Sequence, residues 1–147
     1  MGNVVFYIYG RAVAAGVGTL YVVDDDDNVH AHHVERASWT KWTLRHRAWS
    51  LSTSRPGDVL VTSRASRLLL EYSARGDLRL TVKLAADVVN PNHAVRLTGD
   101  VLVVCHGDMT DDVQRICAVD NRGQVLNACE VLAANCPCIC TVFGVTR

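Results

Sequence analysis

The chain has 147 residues, 49% of them hydrophobic and 20% charged, which excludes a disordered chain and is enough to bury a sizeable core. Fifteen basic and fifteen acidic residues cancel, so no global field exists to hold nucleic acid or an anionic membrane by charge alone. No window approaches about eighteen uncharged apolar residues, which excludes a spanning helix.

The opening, "MGNVVFYIYGRAVAAGVG", is apolar but has no basic n-region, and Arg11 interrupts it. It reads as folded chain rather than as a signal peptide. Phe6 stands where a myristoylation pattern needs Ser or Thr, so N-terminal myristoylation is not expected.

From Arg11 onward the chain repeats itself. "RAVAAGVGTLYVVD" from Arg11, "RAWSLSTSRPGDVLVTS" from Arg47 and "HAVRLTGDVLVVC" from His93 each carry a small residue (Ala12, Ala48, Ala94), a short apolar-alternating run and a glycine turn (Gly18, Gly57, Gly99). The turn glycines are 39 and 42 residues apart, the period of a four-stranded propeller blade. A strand, a tight glycine turn ("SARGD", "DNRGQ") and another strand follow in the second and third units. In the first unit "NVHAHHVE" and "KWTLRH" hold those places.

Val, Leu, Ile, Thr and Tyr dominate runs bounded by Gly, Asp, Asn, Ser and Pro, and no long segment keeps helical spacing. The expected fold is all-β: a partial β-propeller of about three four-stranded blades, near 11–46, 47–85 and 93–131. Residues 1–10 are expected as an extra strand completing a neighbouring blade, and 132–147 as a divergent Cys-rich tail. Blades bury their faces only against one another, and rings close with roughly four to eight. Three blades therefore point to a fragment of a longer ring, with self-association through open blade faces as the alternative.

The middle of the chain, residues 49–126, resembles the NHL-type repeats of six-bladed β-propellers, in phrases such as "LLLEYSARGDL" and "NPNHAV". It is similar to the NHL-like propeller regions of invertebrate proteins, some of them related to tripartite-motif proteins. The resemblance implies a piece of a six-bladed ring. After Leu126 such families continue with a glycine-rich turn and a further blade, whereas this chain runs "NACEVLAANCPCICTVFGVTR". No RING or B-box zinc module is present, so ligase activity does not carry over.

No motif supplies a convergent catalytic set. Cys105 and His106 are adjacent on a predicted strand, where successive side chains diverge, so they do not form a nucleophile–base pair. "GVGTLYVVD" lacks the third glycine and the following helix of a dinucleotide site, and no cofactor is expected. "DDDDNVHAHH" lacks calcium-loop spacing and reads as a hairpin turn. Cys136, Cys138 and Cys140 of "CPCIC" share a face if extended, but no CxxC pair exists to complete a zinc site. All six cysteines lie in the last third of the chain, unlike a disulfide framework spread through a secreted domain, which points to a cytoplasmic setting.

By the blade wiring, the loops between second and third strands and the connections between blades emerge on one face. That face gathers Arg47, His93, His106, Asp108, Asp111 and Asp112, the last four in or beside a loop longer than its predecessor in the second blade. It is the expected binding face, and a protein-interaction or scaffold module is the expected function, with no catalysis of its own. Two alternatives differ in class. One is a six-bladed lyase- or lactonase-like enzyme with a divalent metal held partly by His93. The other is RNA binding through Trp39, Trp42 and Trp49 among Lys41, Arg45 and Arg47.

Overall fold

The strands form where β-branched and aliphatic residues run between turn formers. In the computed structural model, residues 10–16, 18–55, 57–108 and 113–132 are described, and they form twelve strands in three sheets. The first sheet is β1 (Gly10–Gly16), β2 (Thr19–Asp24), β3 (Asn28–His33) and β4 (Ser38–Thr43). The second is β5 (Ser50–Thr53), β6 (Asp58–Ser63), β7 (Leu68–Ser73) and β8 (Leu78–Lys83). The third is β9 (Pro91–Arg96), β10 (Val101–His106), β11 (Val113–Asp120) and β12 (Val125–Leu132). Each sheet is an antiparallel meander in chain order, the connectivity of a propeller blade. The expected strand over 1–10 lies, apart from Gly10, outside the described residues, as does the Cys-rich tail beyond Leu132.

Burial explains why the central blade reads differently from its neighbours. β6, "DVLVTS", is buried at all six positions, because Val59 and Val61 pack against the first sheet while Leu60 points into the core shared with the third. Leu70 and Leu69 of β7 divide the same way. β2 instead alternates, with Tyr21 and Val23 in the first core and Leu20 and Val22 only half-buried. On the third sheet Leu102 and Val104 enter the second core. Two cores thus flank one sheet, and each fully buried aliphatic contributes about 1.5–3 kcal/mol.

One hydrogen-bond pattern recurs in all three blades, at the β2–β3 turn of the first and at the β7–β8 and β11–β12 turns of the other two. Asp24 Oδ1 accepts from the backbone N–H of Asp26 and Asn28, both at 2.9 Å. Ser73 Oγ does the same for Arg75 and Asp77, and Asp120 Oδ1 for Arg122 and Gln124. These short polar side chains substitute for backbone acceptors inside the turn. Where β4 and β8 leave their sheets, Leu44 N–H donates to Asp27 O at 2.8 Å and Leu84 N–H to Arg67 O at 3.0 Å. Asp27 and Arg67 both hold the left-handed backbone conformation, with φ of 62° and 52°. The blade-to-blade connections are therefore pinned to the turns beside them. The architecture is a partial β-propeller of three blades.

Candidate binding cleft

Those pinned connections build a cleft of about 850 Å³. The connection between the first two blades contributes Arg47, Ala48 and Trp49, the β6–β7 turn Arg64, Ala65 and Arg67, and the next connection Val89 and Asn90. Trp49 N–H donates to Thr62 O at 2.7 Å, which seats the first connection on β6. Arg67 N–H closes its turn on Arg64 O at 3.3 Å, and its Nη1 donates to Ala86 O at 3.3 Å, tying turn to connection.

The lining combines apolar surface with unopposed positive charge. Trp49 is 46% and Val89 50% exposed, while Ala48 is buried at the cleft's base. Arg64 lies with Cζ 4.5 Å from the Trp49 ring centroid, a cation–π contact that holds the guanidinium over the indole. Among the lining residues none is Asp or Glu, so the arginine charges are not neutralised within the cleft.

Arg47 lies in this cleft, exposed. His93, on β9, stands apart from it: its Nδ1 is 3.0 Å from Ser50 Oγ on β5, and burial lowers its pKa. His106 is the last residue of β10 and is buried. Burial, and then the nearby Arg115, lower its pKa against the opposing pull of Asp87 and a bond to the Val89 backbone. It borders a separate, smaller cleft of about 280 Å³ with Asp87, Arg115 and Cys117. Asp108 is exposed, and its backbone carbonyl accepts from Gln114 Nε2 at 2.9 Å. Asp111 and Asp112 lie outside the described residues.

The other sequence candidates separate in space. Asp24 is committed to its turn and to His30 Nε2 at 2.7 Å. Burial alone would raise its pKa, but bonds from His30, Asn28 and Asp26 outweigh this and hold it at about 2. Among the described residues no three His, Cys, Asp or Glu side chains are grouped to hold a metal, so His93 has no co-ligand set there. The three tryptophans also part: Trp39 packs on His32 with ring centroids 4.5 Å apart, Trp42 on Tyr72 at 4.9 Å, and Trp49 alone lines the cleft. Sequence reasoning missed Arg64, Arg67, Val89 and Asn90. The doubled arginine of "SRASR", in a turn on the expected face, was the available signal.

No protein-family profile and no curated protein matches the sequence. Solved structures do match. The chain is similar to BamB from Moraxella catarrhalis with a TM-score of 0.58 and 12% identity, over 82% of this chain and 38% of that one. It is similar to the N-terminal domain of Nup159 with a TM-score of 0.57 and 14% identity, over 78% of this chain and 35% of that one. Likeness at this identity shows the propeller fold alone, and the chain spans little more than a third of either structure's length. Among the described residues no helix is long and apolar enough to cross a membrane.

Proposed function

We propose that the chain is a protein-binding module built from β-propeller blades, with no catalysis of its own, and that it engages a partner at the cleft around Trp49. The carrying observation is that Trp49 and Val89, both large, apolar and about half exposed, stand together on connections held by backbone hydrogen bonds. Exposed aromatic and aliphatic anchors on a rigid frame are what a protein interface uses for most of its binding energy. An NHL-type origin of the blades belongs to the same reading and rests on the phrases within residues 49–126.

The test is site-specific photocrosslinking in cells that express the chain. A photoreactive residue at Ala65, an exposed position in the cleft, is compared with one at Asp100, in the β9–β10 connection. Defined protein adducts are expected from position 65 and not from position 100. Equal adducts from both positions, or none from position 65, would overturn the reading.

A further inference from the structure

Resting on that reading, we infer that the cleft selects an acidic peptide segment, one that places a side-chain carboxylate against Arg64 and Arg47 and an apolar side chain against Val89 and Trp49. Three guanidinium groups and no carboxylate line the space. Among the described residues, no ion pair engages Arg47, Arg64 or Arg67. The protein supplies the positive half of a charge pair without its partner.

The arginines are also partly ordered before any ligand arrives. Arg64 is half-buried and held over the indole at 4.5 Å, and stacking on a ring face leaves the N–H edge of a guanidinium available for bidentate contact with a carboxylate. Arg67 spends one Nη1 contact on Ala86 O, which fixes its side chain at the cost of one of its five donors. Less side-chain freedom remains to be lost on binding. The apolar lining from Ala48, Ala65 and Val89 offers a seat for an aliphatic neighbour of the carboxylate. A volume of about 850 Å³ lies in the range of clefts that enclose a ligand rather than a single ion.

Single-stranded RNA fits the same charge less well. Binding of successive bases uses a series of open aromatic faces, whereas Trp49 carries Arg64 on its ring and the other two tryptophans pack on His32 and Tyr72. The charge is local as well, since the whole chain is neutral.

The experiment is fluorescence anisotropy on the full chain with a short labelled peptide of glutamates around two leucines. The same peptide with lysines for glutamates, and a single-stranded RNA of similar length, serve as comparisons. The acidic peptide is expected to bind at least about tenfold more tightly than either comparison, with affinity falling as salt rises. Arg64→Glu and Arg47→Glu are each expected to weaken it about tenfold or more. Arg47 is exposed, so its variant reports even if Arg64→Glu unfolds, and circular dichroism verifies folding. Unchanged affinity in a folded Arg47→Glu protein, equal binding of the lysine peptide, or tighter binding of RNA would each overturn the acidic selectivity. The crosslinking from position 65 is a separate readout: protein adducts there with no acidic preference remove this inference and leave the interaction reading standing.

Discussion

Arg96 Nε donates to Glu71 Oε2 at 2.8 Å across the junction of the second and third blades, and both side chains are 3% exposed. The same guanidinium reaches Gly99 O at 2.8 Å and Asn121 Oδ1 at 3.0 Å through Nη1, so one side chain joins β7, the β9–β10 connection and the β11–β12 turn. Removing one member of a buried pair strands the other charge, at a cost of about 3–5 kcal/mol. Glu71→Ala is therefore expected to lower the unfolding free energy by that amount in urea titration. Glu130→Ala removes the partner of Arg115 in a pair whose side chains are 48% and 64% exposed, and should cost no more than about 1 kcal/mol. Equal losses in the two variants would show that the blade junction is not held by this pair.

The glycines of two repeated turns seat one blade on the next. Gly123, with φ +86°, has no room for a Cβ because the Lys83 carbonyl at the end of β8 occupies that space. Gly76, with φ +90°, would place a Cβ 2.6 Å from Trp42 Cγ on the preceding blade. Gly57 has a similar φ of +84° but nothing within 4 Å. Alanine at Gly57 should thus cost only backbone strain, about 1–2 kcal/mol, and alanine at Gly123 should cost more because Lys83 must also move. Thermal melts of the two variants compare them directly. A Gly123→Ala protein as stable as Gly57→Ala would refute the close seating.

The repeat was legible because each blade makes turns at the same places: Gly18 and Gly57 hold positive φ at corresponding turns, while Gly99 keeps the spacing in the third blade without that conformation. The consecutive apolar residues Val59, Leu60 and Val61 of β6 likewise follow from a sheet covered on both faces. The cleft was less legible. Arg47, Arg64 and Val89 belong to three separate segments, and their meeting depends on how far one blade is rotated against the next, which no local pattern records. Proximity in sequence misled for the tryptophans: Trp39 and Trp42 sit on β4, where pairing with β3 places them against His32 and Val29, while Trp49 lies in the connection beyond. His106 looked like the opening of a loop, yet it completes β10 and is buried.

Thiol reactivity should divide the described cysteines sharply. Burial first, and then Asp87 and Cys129, raise the Cys117 pKa to about 11, so at neutral pH almost none of it is the reactive thiolate. Cys105 is buried as well, and Cys129 is exposed. Iodoacetamide on the native protein is expected to modify Cys129 well before Cys105 or Cys117, with all three modified in denaturant. Peptide mapping by mass spectrometry reads this out. Rapid native alkylation of Cys117 would contradict its burial in the second core.

Stability should fall on mild acidification, and the sign follows from two histidines. The pKa values of His93 and His106 are lowered in the folded protein, His93 by burial and His106 by burial and then Arg115. Above about pH 6.5 both rings are neutral whether the chain is folded or not. As pH falls below that value the unfolded chain takes up protons first, so the unfolded state is favoured until the lower folded-state pKa values are reached. Each group contributes a slope of at most about 1.4 kcal/mol per pH unit in that window. Asp24 acts lower: its pKa of about 2 lies below the unfolded value of about 3.9, so its contribution persists above pH 4 and is lost only as pH drops towards 2. Urea midpoints measured from pH 7.5 downward should therefore decline first through the histidine window, and His93→Gln with His106→Gln should flatten that decline while leaving the Asp24 step intact. A wild-type midpoint that stays level from pH 7.5 to pH 5 would rule out these two histidines as the cause.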